Sequence, residues 1–385
     1  MKRIAILGST GSIGQSTVEV IRSLPEHFSV AALSANSNIE VLYRQIREFR
    51  PAYVCVNDER AALRLEKKIK RGSSKILAGK NGLEHLVSRR EIDQVMVAIS
   101  GADALAPLLK AIDSGKTIAL ANKEALVMAG AIIVDRAKKK KIKIIPVDSE
   151  QSAIWQCLAG EDRSKLKNVY LTASGGPFLA IKKEELRGIS VAQVLKHPKW
   201  RMGKKISVDS ANLMNKGLEM LEAMHLFNVH PRQIKILIHP EAIVHSLVEF
   251  IDGVMLAQLS ITDMRIPIQY ALSYPDRLSN RLPGVDLYKL ESLNFQKPDF
   301  RKFPCLGLSY RVAEMLGTAP CAFNAANEVA VAEFLKKRLD FLAIPGVMRK
   351  VLDQHRNVTN PDLDDILEAD ARARREALRV IKKAN

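Results

Sequence analysis

The chain has 385 residues, 47% of them hydrophobic, enough for two or three domains with cores of their own. Four cysteines (Cys55, Cys157, Cys305 and Cys321) without CxxC spacing argue against a zinc site or a disulfide framework and fit a reducing cytosol. The net charge of +17 suits anionic ligands, but no RNP aromatic motif, zinc finger or paired-Cys module accompanies it, so nucleic acid is not expected as a partner.

Residues 4–8 already read as a strand running into a turn, which speaks against a signal peptide. No apolar run is long enough to cross a bilayer, so a cytoplasmic protein with no membrane partner is expected. Apolar β-type runs at 3–8, 28–33, 52–56, 94–99, 117–121 and 143–147 alternate with helical stretches such as 14–24, 39–49 and 103–114. Near-continuous apolar strands separated by helices predict an α/β, Rossmann-like parallel-sheet domain over 1–147.

The turn Gly8-Ser9-Thr10-Gly11-Ser12-Ile13-Gly14 follows the first strand and opens a helix. Glycines there allow a tight turn and the approach of a pyrophosphate to the helix N-terminus, although a plain strand–helix turn reads the same way. Residues 34–38, after the second strand, carry no acid to hold a ribose 2′-hydroxyl, which favours NADP over NAD; they carry no Arg or Lys either. Asn122-Lys123-Glu124 falls at the carboxyl edge of a strand, where α/β sheets put ligands, and equally fits a helix N-terminus. The basic run KKKKIK at 138–143 reads as a solvated face.

Asp148-Ser149-Glu150 follows the run 143–147. In an extended chain the two carboxylates point the same way, and they repel unless a cation or proton lies between them. On their own they could be exposed acids at a loop start. Glu219 can add a third ligand, and three carboxylates suit Mg²⁺ or Mn²⁺ rather than zinc.

From 148 to 279 the pattern changes to strands at 169–173, 234–238, 246–250 and 254–259 with helices between. Short turns such as Asp252-Gly253 predict an antiparallel α+β domain. Within it, Ser174-Gly175-Gly176-Pro177 offers a hydroxyl and glycine-exposed amides to an oxyanion, unless it is a plain turn. Ser210, Asn215 and Lys216 add the donors that phosphate sites use. The basic, aromatic stretch from His197 to Gly203 places Trp200 in a loop, as a lid over a ligand or as an anchor of the loop. His239 and His245 read as satisfied structural histidines, and Met264 as a loop anchor or a cofactor contact. Residues 280–304 read as a linker, and 305–385 as a helical domain with helices at 306–316, 322–338, 343–353 and 362–383.

The segments GSTGSIG, LANKEALVMAG, PVDSEQSAI, LTASGGPF, HPKWRMG, VDSANLMNKGLE, LIHPEAIVHSLV and NAANEVAVAEFL occur in that order over nearly the whole length. Together they make the chain resemble the 1-deoxy-D-xylulose 5-phosphate reductoisomerase family. The resemblance implies a Rossmann-like NADPH domain, a central α+β catalytic domain and a C-terminal helical domain. It implies isomerisation of a linear ketose phosphate followed by reduction with NADPH, dependence on Mg²⁺ or Mn²⁺ with Co²⁺ also admitted, and a homodimer.

It also implies residue roles. Asp148, Glu150 and Glu219 would hold the metal, and with Lys123 they form the catalytic set. Ser149, Glu150, Ser174, His197, Ser210, Asn215, Lys216 and Glu219 would bind the sugar phosphate, and Trp200 and Met202 would form the lid. Thr10, Gly11, Ser12, Ile13, Asn36, Asn38, Asn122, Lys123, Glu124, Gly203 and Met264 would contact NADPH.

Three departures stand out. Asn36-Ser37-Asn38 lacks the cation often found there, Gln151 replaces a common His, and Asp103 stands where small residues are usual. Two other classes compete: a metal-free NADP-dependent dehydrogenase, which has no need of a carboxylate triad, and a basic nucleic-acid-binding protein, which would show salt-dependent binding.

Overall fold

The computed structural model describes residues 1–69, 72, 74–196, 200 and 202–384. They fall into two compact units. The first joins Met1–Asn122, Ile133–Ser152 and Asp263–Leu282; the second joins Lys123–Ile132, Ala153–Thr262 and the chain from Pro283 onward.

In the first unit, β1 (Lys2–Leu7), β2 (Phe28–Ala35), β3 (Tyr53–Val56), β4 (Lys75–Ala78), β5 (Gln94–Val97), β6 (Thr117–Leu120) and β7 (Ile144–Pro146) pair in parallel. Their order is β4-β3-β2-β1-β5-β6-β7, so the sheet changes direction between β1 and β5. Ligands of such sheets bind outside the carboxyl ends of the strands at that point. Between the strands run α1 (Ser12–Ser23), α2 (Ile39–Phe49), α3 (Glu59–Lys68), α4 (Gly79–Val87) and α5 (Leu105–Asp113). Ile4, Ile6 and Leu33 of the sheet pack with Val18 and Ile21 of α1 and Leu42 and Ile46 of α2, all buried, which is why the strands read as continuous apolar runs.

The sequence suggested six strands here, and the described residues form seven. The additional one, β4, is a four-residue, partly exposed edge strand that follows a charged stretch, too short and too weakly apolar to stand out. The late segment α11 (Arg265–Ser273) belongs to the same core through Ile268, Ala271 and Leu272.

Helices α6 (Glu124–Lys139) and α7 (Ser149–Cys157) follow β6 and β7. In the second unit, β8 (Leu166–Ala173), β9 (Ile234–Ile238), β10 (Val244–Phe250) and β11 (Met255–Leu259) form a sheet in the order β11-β10-β8-β9. The antiparallel expectation needs correction: β10 is antiparallel to β8 and β11, but β8 and β9 are parallel. The connection between those two strands carries α8 (Val191–Val194), α9 (Lys204–Ala211) and α10 (Met214–Phe227), long enough to bring the chain back to the starting edge.

The remaining helices are α12 (Pro304–Met315), α13 (Ala319–Leu335), α14 (Ile344–Gln354) and α15 (Leu363–Ala384). On α15, Ile366, Ala369, Ala373 and Ala377 are buried at spacings of three or four residues, and Val380 and Ile381 follow three and four residues after Ala377, as one helix face requires. Gly217 of α10 faces Ser309 of α12 so closely that a Cβ there would lie 1.8 Å from the Ser309 Oγ, so this pair of helices needs the glycine.

Candidate active site

The glycine-rich turn is dictated by sterics. Gly8 has φ +83, and a Cβ on it would lie 2.6 Å from the Ala98 carbonyl oxygen at the end of β5. A Cβ on Gly14 would lie 2.2 Å from the Gly8 carbonyl oxygen. Both contacts are with backbone, which cannot move aside. Helix α1 starts at Ser12 with Gly11 as N-cap and no side-chain cap, so its first amides are presented beside Thr10, Gly11, Ser12 and Ile13. Ser9, to which the sequence gives no role of its own within the turn, is fully buried and donates to Gln45 Oε1 at 2.7 Å, while Gln45 Nε2 returns a bond to the Ser9 carbonyl at 2.9 Å. This pair braces the turn against α2.

Around the turn, Asn36 accepts from Asn57 Nδ2 at 3.2 Å, and Asn38 caps α2 by accepting from Val41 N. Asn122 donates to the carbonyls of Ile99 at 2.8 Å and Gly101 at 3.0 Å, tying the ends of β5 and β6 together. It therefore does more than start α6. Asp103 is exposed and paired with Lys80 at 3.1 Å, which offsets its charge near the sheet edge. Met264 sits at the start of α11, packed against the first unit's core.

Asp148 and Glu150 come together for a reason other than the one the sequence suggested. The chain does not stay extended after β7. Instead α7 begins at Ser149, the Asp148 carbonyl accepts from Ser152 N at 2.8 Å, and Glu150 lies in the first turn. Acids at a helix N-terminus are favoured by its amides and dipole. Ser149 Oγ donates to Glu150 Oε2 at 2.5 Å, and Gln151 is fully buried behind them.

In the second unit, α10 opens on Leu213 in the left-handed region, which places Asn215, Lys216 and Glu219 along its first turns. Glu219 is fully buried. One of its oxygens faces Lys216 Nζ at 2.5 Å; the other faces Lys123 Nζ at 3.2 Å and accepts from Asn215, whose Oδ1 takes a bond from Lys123 at 2.8 Å. Two buried ammoniums and an amide gathered on one carboxylate supply the donors that a charged, oxygen-rich ligand takes up. Close by, the turn Ser174–Gly176 ends β8, and a Cβ on Gly176 would lie 2.9 Å from the Ser210 carbonyl oxygen. The structure thus brings Lys123, Asn215, Lys216 and Glu219 together, and sets the Ser174 turn against Ser210.

Glu124 pairs with Lys205 at 2.7 Å, and Lys205 also meets Asp209 at 2.9 Å. Neither Lys205 nor Asp209 was singled out from the sequence, where a Lys and an Asp four apart on a helix read as a surface pair. Gly203 N-caps α9, its carbonyl accepting from Ser207 N and Oγ. The Trp200 and His245 rings lie 6.3 Å apart, and Met202 is half-buried. His197 lies outside the described residues. The structural reading of the other histidines holds: His239 is fully buried, accepts from Ile243 N and Val244 N, and stacks on Phe295, while His245 Nε2 meets the Ser260 carbonyl.

Models of known families match three stretches. Residues 4–130 match 1-deoxy-D-xylulose 5-phosphate reductoisomerase, 144–227 its C-terminal domain, and 259–376 the DXP reductoisomerase C-terminal domain. A reductoisomerase of that name from Caldanaerobacter subterraneus subsp. tengcongensis is 49% identical over 98% of this chain and 99% of its own length. The chain belongs to the 1-deoxy-D-xylulose 5-phosphate reductoisomerase family. Another reductoisomerase, from Pelotomaculum thermopropionicum, is 48% identical over 99% of both chains. Among solved structures, a DOX-P reductoisomerase in complex with NADPH, fosmidomycin and magnesium matches with a TM-score of 0.93 at 40% identity, covering 99% of this chain and 98% of that one. The Zymomonas mobilis reductoisomerase in complex with NADPH matches at 0.92 and 37% identity over 99% of both.

Proposed function

We propose that the chain converts 1-deoxy-D-xylulose 5-phosphate to 2-C-methyl-D-erythritol 4-phosphate with NADPH and a divalent metal, a step of non-mevalonate isoprenoid biosynthesis. Family membership over the full length supports this, as do the NADPH, fosmidomycin and magnesium bound by a neighbour of 40% identity. The observation that carries the reading is the buried cluster of Lys123, Asn215, Lys216 and Glu219, whose ammonium and amide donors suit a phosphorylated, oxygen-rich substrate.

Asp148, Glu150 and Glu219 are the proposed metal ligands. Their donor chemistry fits: all are carboxylates, the set Mg²⁺ or Mn²⁺ takes, with Co²⁺ also tolerated. A divalent ion held there supplies Lewis acidity to the reacting oxygens, and NADPH supplies the hydride. Lys123 donates to the same substrate oxygens and adds positive charge where negative charge develops. Ser149 and Glu150 orient the substrate hydroxyls. Ser174, Ser210, Asn215 and Lys216 grip the phosphate, remote from the bond changes, so its binding energy goes into orientation. Trp200 and Met202 cover the sugar and exclude water from the reacting carbons.

The NADPH diphosphate lies on Thr10, Gly11, Ser12 and Ile13, with Asn36 and Asn38 at the ribose. Asn122, Lys123, Glu124, Gly203 and Met264 lie toward the nicotinamide. The domain assignment follows the same division: 1–147 for NADPH, 148–279 for metal and substrate, 280–304 as linker and 305–385 as helical support.

Among the described residues no helix is long and apolar enough to cross a membrane. We place the protein in the cytoplasm as a homodimer. Support for the dimer comes from the edge strand β11, which exposes Met255 and Leu259, and from exposed Leu287, Tyr288, Phe295 and Phe300 beyond it. An open, apolar strand edge is commonly covered by a partner. NADPH oxidation on adding 1-deoxy-D-xylulose 5-phosphate and Mg²⁺ tests the activity; no oxidation with this substrate would refute it.

A further inference from the structure

Of the two carboxylates on Lys205, Asp209 has no place in the assigned chemistry and Glu124 has only the proposed cofactor contact, yet each lies next to a residue assigned to the substrate. Glu124 follows Lys123 at the start of α6, and Asp209 precedes Ser210 on α9. Lys205 Nζ is 2.7 Å from Glu124 Oε1 and 2.9 Å from Asp209 Oδ2. The other Asp209 oxygen accepts from Asn327 Nδ2 of α13 at 2.9 Å. Beside Asn327, Glu328 is held by Arg374 of α15 at 2.6 Å, and Arg374 also pairs with Asp370. The chain of contacts thus runs from the start of α6 through α9 into the helical layer. Glu124 and Asp209 side chains are 9% and 1% exposed, and Lys205 is 24% exposed, so water screens the contacts little.

Resting on the function proposed above, the structure assigns Lys205 as a positioning residue: by clamping Glu124 and Asp209 it keeps the Lys123 ammonium in register with the phosphate-gripping Ser210. No contact with the substrate is assigned to Lys205 itself. Its ammonium replaces what would otherwise be repulsion between two buried carboxylates on different elements, and so fixes the distance between those elements. Burial opposes the charge, but Asp209, Glu124 and Glu328 together hold the Lys205 pKa well above that of an ordinary lysine. Burial likewise pushes the Glu124 carboxyl up, and Lys205 with Lys123 brings it below the usual range. Lys205 and Glu124 therefore both stay charged near neutral pH. Any ion pair can add stability. What singles this one out is that it joins the sequence neighbours of two proposed substrate contacts.

The test compares wild type, Lys205→Met, Lys205→Arg and Asp209→Asn, each checked for folding by circular dichroism. For each, kcat and the KM for 1-deoxy-D-xylulose 5-phosphate are measured, with the affinities for fosmidomycin and NADPH titrated separately. Lys205→Met is expected to raise the KM and weaken fosmidomycin at least tenfold, while Lys205→Arg, which keeps the charge, stays within about threefold of wild type. If Lys205→Met does not fold, Asp209→Asn carries the test, because it leaves Lys205 its partner Glu124. It should weaken fosmidomycin at least fivefold and NADPH less than twofold.

A folded Lys205→Met or Asp209→Asn protein that binds fosmidomycin like wild type overturns the assignment. So does an equal loss of fosmidomycin and NADPH affinity in Asp209→Asn, which means general loosening, or a Lys205→Arg protein as impaired as Lys205→Met. A wild-type chain that neither reacts with the sugar phosphate nor binds fosmidomycin overturns the proposed function itself, and the assignment with it.

Discussion

Glu219→Gln separates the electrostatic and metal-binding consequences of the site. The carboxylate is fully buried, with Lys216 Nζ 2.5 Å from one oxygen and Lys123 Nζ 3.2 Å from the other. Making it neutral leaves two ammoniums, 3% and 6% exposed, without the anion now lying between them. Breaking a buried ion pair by removing one partner costs about 3–5 kcal/mol, and the Asn215 carbonyl that still accepts from Lys123 favours the lower end. At roughly 2 °C per kcal/mol for a chain of this size, the melting temperature should fall by about 6–10 °C in phosphate-free buffer. Inorganic phosphate should restore more of this loss than it adds to wild type, because it supplies the missing negative charge. Saturating Mg²⁺ should stabilise wild type, by about 2.7 kcal/mol at a hundred times its Kd, and should leave Glu219→Gln unmoved. Thermal melts in four buffers, with and without phosphate and Mg²⁺, read all of this. A variant that melts like wild type and keeps its Mg²⁺ shift would refute both the buried-charge reasoning and the ligand assignment.

Lys216→Ala removes a charge-assisted contact worth about 1.5–3 kcal/mol, so fosmidomycin should bind roughly ten- to a hundredfold more weakly; unchanged affinity by titration would remove Lys216 from the phosphate pocket. NADPH should give a higher kcat/KM than NADH because residues 34–38 carry no ribose-binding acid, and steady-state kinetics with both decide it. His225, whose ring lies 2.2 Å from where a Cβ on Gly130 would be, is pushed by burial down to about 4. Its unfolded form protonates below about 6.5, so its contribution is full above that pH and is lost as pH falls to 4, at most about 3 kcal/mol. His225→Gln should flatten the fall in melting temperature between pH 6.5 and 4, and an unaltered slope would contradict the burial argument.

The nucleotide-binding turn was legible because its glycines answer to sterics that any chain must obey: Gly8 and Gly14 have backbone where a side chain would go. The strands of the first sheet were legible because burial on both faces leaves apolar runs. Edge strand β4 was not, since four half-exposed residues carry little signal. The parallel pairing of β8 and β9 was hidden because strand direction depends on where α8, α9 and α10 bring the chain back, which local pattern does not encode. Asp148 and Glu150 are recognisable as a pair in the sequence, but spacing by two does not tell extended backbone from a helix start over so short a stretch. Lys205 escaped notice because a lysine at helical spacing from an acid looks like a surface pair; only the fold brings Glu124 to its other side.

The central claim is that NADPH, a divalent metal and this site together rearrange and reduce one sugar phosphate. The most direct measurement is the product formed from 1-deoxy-D-xylulose 5-phosphate and NADPH, identified by NMR, in Mg²⁺ and again after chelation. The account predicts 2-C-methyl-D-erythritol 4-phosphate in equal amount to the NADPH oxidised, none after chelation, and recovery when Mg²⁺ or Mn²⁺ is returned. A product of plain carbonyl reduction with the carbon skeleton unrearranged, or full turnover in chelator, would contradict it.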